Sequence, residues 1–189
     1  MTIGILAVQG AFIEHHHMLK RMGVDTFDIR QKKDLLRPMD GLILPGGEST
    51  TMGKLLRDLD MLDNLKKMIQ QGLPVFGTCA GMILLAESLE SDPTIHLGLM
   101  HITVKRNAYG RQLSSFMTVD QFDQHMIPMT FIRAPYISRK GDSVHILSTV
   151  SGKWVAAREN NMLATAFHPE LTEDTSVHAY FLEMISSSR

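Results

Sequence analysis

One cysteine, one histidine and one glutamate stand in surroundings that suit nucleophilic catalysis. Leu73-Pro74-Val75-Phe76-Gly77-Thr78-Cys79-Ala80-Gly81-Met82 reads as an apolar strand, then Gly-x-Cys-x-Gly, then the start of a helix. That is a nucleophile elbow with sulfur in place of a serine oxygen. A nucleophile in so tight a turn sits in a strained backbone, and small neighbours at Gly77 and Gly81 let the chain pass. The thiol then lies at a helix N-terminus, where free N–H groups favour thiolate. The Ala80 N–H would point at the oxyanion of a tetrahedral intermediate. An isolated cysteine is most often an inert buried thiol; the elbow is what makes Cys79 a nucleophile.

Phe167-His168-Pro169-Glu170 supplies the partners. Residues two apart in extended chain face the same way, so His168 and Glu170 project to one side. Pro169 disfavours helix at His168 and fixes its own φ. Glu170 can accept from one imidazole nitrogen and leave the other for the sulfur.

These groups need a scaffold that brings residues 79 and 168 together. Thr2–Val8, Val24–Ile29, Gly41–Leu44, Leu73–Phe76 and Met162–Phe167 read as strands. Helices are expected over Ala11–Met22, from a cap at Ser49 or Thr50 through Asp58, over Leu62–Gln71, Ala80–Ser88 and Ser176–Ile185. Alternating strands and helices imply βαβ units. Beyond Asp92-Pro93 the texture shifts to shorter strands at Leu97–Lys105, Ser115–Val119, Thr130–Ile132, Val144–Val150 and Trp154–Arg158, with a hairpin turn at Glu159-Asn160-Asn161. The expected fold is α/β: an open, mostly parallel, flavodoxin-like sheet with helices on both faces and a β-rich insertion in its second half. One domain over residues 1–189 suits the length and the lack of a linker. Both the elbow and His168 then lie at carboxyl ends of strands, where such sheets bind ligands.

Composition narrows the function classes. Nineteen basic against twenty acidic residues leave no excess of positive charge for nucleic acid. No apolar stretch approaches the roughly 20 residues that span a bilayer, and the N-terminus lacks a signal-peptide pattern. A lone cysteine fits a reducing compartment, so a cytoplasmic protein is expected. The fourteen methionines read as core filling. His15-His16-His17 lies in a helical pattern, where consecutive side chains point about 100° apart and cannot converge on one ion; a solvated helix face is expected. His96, His101, His125, His145 and His178 show no ligand spacing. No metal and no cofactor is expected.

Leu44-Pro45-Gly46-Gly47-Glu48-Ser49-Thr50-Thr51 is glycine-rich and opens a helix, but lacks the spacing and Gly-Lys-Ser/Thr ending of a phosphate loop. Its backbone N–H groups can serve either a developing oxyanion or a substrate carboxylate.

Together, a glycine loop, a central Gly-x-Cys-x-Gly and a late His-Pro-Glu resemble the class I, triad-type glutamine amidotransferases. Ala7-Val8-Gln9-Gly10-Ala11-Phe12, Pro45–Thr51, Arg106-Asn107-Ala108-Tyr109-Gly110-Arg111-Gln112, Phe131-Ile132-Arg133-Ala134-Pro135 and Ala166–Leu171 narrow the match. They resemble the glutaminase subunits of pyridoxal 5′-phosphate synthase over essentially the whole chain. The resemblance implies that Cys79 attacks L-glutamine, His168 moves protons and Glu170 orients His168. It implies oxyanion N–H groups at Gly47 and Ala80. Glutamine would be held by Gly46, Gly47, Glu48 and Ser49, with Arg106, Ile132 and Arg133; arginine suits a bidentate clamp on the α-carboxylate. The implied partner is a (β/α)₈-barrel synthase subunit in a large hetero-oligomer, with Gln9 and Gly10 near the contact. Rival expectations are a glutaminase for imidazole glycerol phosphate or aminodeoxychorismate synthesis, a cysteine peptidase or redox protein on the elbow fold, and a non-catalytic binding module.

Overall fold

A computed structural model describes residues 1–106 and 115–187. The strands are β1 Thr2–Leu6, β2 Asp25–Ile29, β3 Gly41–Leu44, β4 Val75–Thr78, β5 Ala86–Leu89, β6 Met100–Lys105, β7 Ser115–Phe122, β8 His125–Ile132, β9 Tyr136–Lys140, β10 His145–Val150, β11 Lys153–Glu159 and β12 Met162–Thr165. The α-helices are α1 Phe12–Arg21, α2 Ser49–Asp58, α3 Leu62–Gln70, α4 Ala80–Leu85 and α5 Ser176–Ser187. Residues 107–112 of the Arg-Asn block lie outside the described residues.

β3, β4 and β12 are apolar, four-residue runs buried at every position. Strands wetted on neither face belong in the middle of a parallel sheet, and the order β2-β1-β3-β4-β12 places them there. All four junctions in that order are parallel. The winding runs one way from β1 to β2 and the other way from β3 to β4. With right-handed crossovers this reversal puts α1 on one face and α2 and α3 on the other. It also creates a switch point between β1 and β3, with a crevice at the strands' carboxyl ends. Phe76 of β4 is fully buried, its ring centroid 5.6 Å from that of Phe181 in α5. Burying one such ring contributes roughly 2–3 kcal/mol.

The second half extends the sheet antiparallel through β11, β9 and β6, with β10 on β11 and β5 parallel to β6. β7 and β8 form a separate ribbon. The expected β-rich insertion is therefore real, but two of its strands were unexpected. Ala80–Ser88 is not one helix: α4 stops at Leu85, and Ala86 pairs with Met100 of β6. Strand β9, Tyr-Ile-Ser-Arg-Lys, lacks a regular apolar alternation and is held by β6 and β11. β4 runs on through Thr78 rather than ending at Phe76, because Thr165 of β12 pairs with Thr78. Pro128 is tolerated inside β8 because, among the described residues, β8 pairs with β7 alone and leaves its other edge open. Among the described residues, no helix is long and apolar enough to cross a membrane.

Candidate active site

Four neighbouring strand ends build one cleft. β1 runs into Gln9-Gly10, β3 into Gly46-Gly47, β4 into Cys79, and β12 into His168. The cleft has a volume of about 660 Å³, and Cys79 and His168 line it together.

Cys79 has φ 49 and ψ −99, a left-handed backbone that side chains rarely adopt. The turn is pinned from both sides: the Cys79 N–H donates to Thr165 O at 2.7 Å, and Ile83 N–H donates to Cys79 O at 3.2 Å. Glycines make the elbow possible. A Cβ at Gly81 would stand 2.0 Å from Leu44 O, and one at Gly77 2.6 Å from the Gly81 carbonyl carbon. Cys79 is 7% exposed, and its Sγ lies 4.0 Å from Ile132 O.

His168 is fixed through its backbone N–H, which donates to Thr130 O of β8 at 2.8 Å. The β7–β8 ribbon reaches this point because Phe131 and Phe122 pack on Phe167, centroids 5.7 and 6.4 Å away. Nδ1 of His168 lies 2.7 Å from Glu170 Oε1, and both side chains are almost wholly buried. That pairing leaves Nε2 available to the thiol, which lines the same cleft. Burial by itself lowers the imidazole, but Cys79 and Glu170 override it and push His168 up to about 10. At neutral pH the ring therefore carries a proton, and an imidazolium beside a sulfur stabilises thiolate.

The glycine loop presses on this pair. A Cβ at Gly46 would stand 2.3 Å from His168 Cε1 and 2.8 Å from Nδ1, so only glycine fits. Gly46 O accepts from Ala11 N–H at 2.9 Å, just before α1. A trans peptide aims its N–H opposite its carbonyl, so the Gly47 N–H faces away from that anchor. Gln9 holds the next peptide, with Oε1 2.9 Å from the Glu48 N–H.

The helix cap expected at Ser49 or Thr50 is Glu48 instead. Its carboxylate accepts from the N–H groups of Thr50 at 3.1 Å and Thr51 at 2.7 Å, and from Thr51 Oγ1 at 2.7 Å. A carboxylate outcompetes a hydroxyl for these N–H groups because the interaction is charge-assisted. The Thr51 hydroxyl first, and the two backbone N–H groups with it, hold Glu48 below the usual carboxylate range.

Of the remaining expected residues, Gly10, Gly47, Ser49, Arg106, Ile132 and Arg133 all line the cleft. Arg106 pairs with Asp92 at 2.8 Å and reaches Thr50 Oγ1 at 3.3 Å and Ser49 Oγ at 3.5 Å. Asp92 was not anticipated. Arg133 has φ 45 at the end of the ribbon. Glu170 sits behind His168, and Ala80 is 1% exposed at the first position of α4.

The histidine run corrects the sequence reading most. Only His17 lies on an exposed face. His16 meets Thr26 and Asp28 of β2 at 2.6 and 2.5 Å. His15 is fully buried, with Nδ1 3.0 Å from His178 Nε2 and Nε2 3.3 Å from Thr78 Oγ1. A signal existed: His15 precedes Met18 and Leu19 by three and four residues, which places it on their buried stripe. Among the described residues, no group of three or more His, Cys, Asp or Glu side chains is arranged to hold a metal ion.

A cysteine elbow, a His-Glu pair and a glycine loop on an open α/β sheet define a cysteine-nucleophile amidotransferase. The chain belongs to the SNO glutamine amidotransferase family, whose model matches residues 5–187. It is 57% identical to the pyridoxal 5′-phosphate synthase subunit PdxT of Methanocorpusculum labreanum, covering 100% of both chains. With the subunit of the same name from Desulfitobacterium hafniense it shares 53% identity, over 100% of this chain and 96% of the relative. A crystal structure of a glutamine amidotransferase superposes with TM-score 0.93 at 42% identity, covering 97% of this chain and 98% of that one. A putative GMP synthase protein from Thermoplasma acidophilum shares the fold at TM-score 0.68 and 20% identity, over 99% of this chain and 94% of that one.

Proposed function

We propose that Cys79, His168 and Glu170 hydrolyse L-glutamine to L-glutamate and ammonia, as the glutaminase subunit of a pyridoxal 5′-phosphate synthase. The observation that carries the chemistry is the burial of the His168–Glu170 pair against the Cys79 thiol at one cleft wall. Thiolate attacks the side-chain amide carbon, and the carbonyl electrons move to oxygen. Gly47 and Ala80 supply N–H groups to that oxyanion. As the oxyanion collapses, the C–N bond breaks and His168 gives its proton to the departing nitrogen. Neutral His168 then takes a proton from water, hydroxide attacks the γ-glutamyl thioester, and the C–S bond breaks to regenerate thiolate and imidazolium. Arg106 and Arg133 receive the α-carboxylate, beside Gly46, Ser49 and Ile132. The Glu48 carboxylate, with acceptor capacity to spare after capping α2, takes the α-ammonium.

Ammonia set free in water becomes ammonium and loses its nucleophilicity. Delivery to a docked synthase subunit keeps it reactive. The family resemblance supports a (β/α)₈-barrel partner in a large hetero-oligomer, with Gln9, Gly10 and α1 at the contact. One amidotransferase domain spans residues 1–189. A cytoplasmic setting suits a single thiol that must stay reduced.

Cys79→Ala is expected to abolish glutamate formation while leaving partner binding intact. A glutamine-like electrophile, diazo-oxo-norleucine, is expected to add to Cys79. Retained turnover in the alanine variant removes Cys79 from the mechanism.

A further inference from the structure

Glu170 uses one carboxylate oxygen on His168, and the other, fully buried, has no hydrogen-bond partner among the described residues. The group that faces this second oxygen is His15 Nε2, at 3.7 Å, with both side chains wholly inaccessible to solvent. Behind His15 stands His178 of α5, and the edge of Phe76 walls both rings, with centroids 6.1 and 5.6 Å away. The titratable groups around His15 are His178, His168, Glu170 and its own neighbour His16. Burial first, then the three histidines, holds His15 well below its ordinary value, and burial pushes His178 down to about 3. Both rings are neutral, so each has one N–H and one bare nitrogen.

Only two proton arrangements satisfy the 3.0 Å contact between them. If His15 Nδ1 holds the proton, its bare Nε2 lone pair faces a carboxylate, and the His178 Nδ1–H is buried with no acceptor. If His178 Nε2 holds the proton, His15 Nδ1 accepts it and the His15 Nε2–H faces Thr78 Oγ1 and Glu170 Oε2. The first arrangement adds a repulsion and an orphaned donor, both expensive where no water enters. The second adds neither, and leaves only the bare Nδ1 of His178 unpaired, an acceptor in place of a donor.

We propose that His15 is a positioning residue for the triad: its Nε2–H faces the outer oxygen of Glu170 across 3.7 Å and steadies it electrostatically, and His178 fixes the tautomer that makes this possible. The proposal rests on the triad assigned above. It gives α1 two anchors in the site, His15 on the carboxylate and the Ala11 N–H on Gly46 O. Removing the N–H frees the Glu170 carboxylate to rotate and weakens its hold on the imidazolium, so thiolate at Cys79 forms less readily.

The test uses the full chain with its synthase partner. A glutamine amide reaches the place of Nε2, whereas an asparagine amide reaches only that of Nδ1. His15→Leu and His15→Asn are expected to lower kcat about ten-fold, the loss of one contact to a charged group, with KM for glutamine unchanged; His15→Gln recovers most of it. The pH midpoint of Cys79 alkylation by iodoacetamide, which needs neither glutamine nor partner, is expected to move upward in His15→Leu and return in His15→Gln. In the unaltered chain, ¹⁵N shifts of the rings should show His15 protonated at Nε2. An Nδ1–H tautomer at His15 overturns the proposal, as does equal loss in all three variants with an unmoved midpoint. If glutamine is not turned over at all while the midpoint shifts, the glutaminase assignment fails and the role of His15 stands.

Discussion

Gly46→Ala is the sharpest probe of how tightly the site is built. The added Cβ would stand 2.3 Å from His168 Cε1, against 3.4 Å for the near edge of ordinary contact, a deficit of about 1.1 Å. The ring cannot swing aside freely, because Glu170 holds Nδ1 and Thr130 O holds the backbone N–H. The loop cannot simply retreat either, because Ala11 holds Gly46 O. The strain is therefore shared, and the imidazole and the oxyanion loop move apart by roughly 1 Å. A displacement of that size costs on the order of 10²-fold in rate, or about 2.7 kcal/mol of transition-state stabilisation. Overpacking should lower stability by only ~1–3 kcal/mol, so the chain still folds. The measurement is glutamate formation at saturating glutamine with the synthase present, beside a urea melt. Gly47→Ala is the internal comparison: its Cβ meets Gln9 Oε1 at 2.3 Å and Gly10 Cα at 3.1 Å, so Gln9 must release the Glu48 N–H but no contact with His168 is forced, and its loss should be smaller. A Gly46→Ala chain with kcat within about two-fold of the original would refute the claim that His168 and the loop are in rigid contact.

Three further outcomes are expected. Arg106→Met should raise KM for glutamine by roughly ten-fold or more with kcat little changed, the value of a charge-assisted contact; a lowered kcat at unchanged KM would contradict a binding role. Glu48→Ala removes the cap of α2 and should cost ~1 kcal/mol in a chemical denaturation experiment; no loss would mean that Thr50 and Thr51 find other acceptors. His178 is lowered by burial to about 3 from 6.5, so the unfolded chain binds a proton that the folded chain refuses. Its contribution to stability is complete above pH 6.5 and is lost as pH falls toward 3, at ~1.4 kcal/mol per pH unit. His178→Gln should flatten that acid slope, measured by urea melts at several pH values, and an unchanged slope would exclude the buried neutral state.

The clustering of the proposed triad was legible because its signals are local. Gly77, Cys79 and Gly81 describe a turn that needs no knowledge of the rest of the chain, and His168 and Glu170 face one way through extended-chain geometry alone. The parallel core was equally readable, since β3 and β4 are short apolar runs between helical stretches. What escaped depends on distant partners. Ala86–Leu89 continues an apolar run that favours helix, and only Met100 and its neighbours turn it into a strand. Strand β9 owes its form to β6 and β11 rather than to its own residues. The inward turn of His15 was within reach of helical periodicity, but its use was not: His178 and Glu170 lie more than 150 residues along the chain, and only the fold shows that they meet.

The elbow carries one more consequence. Cys79 is a non-glycine residue at φ 49 and ψ −99, a conformation that costs of order 1–3 kcal/mol and that glycine adopts freely. Any search for a hardier version of this protein that ignores turnover will therefore be drawn to the one codon it must not touch. On the proposed mechanism, resistance to heat and the splitting of glutamine compete at this one residue.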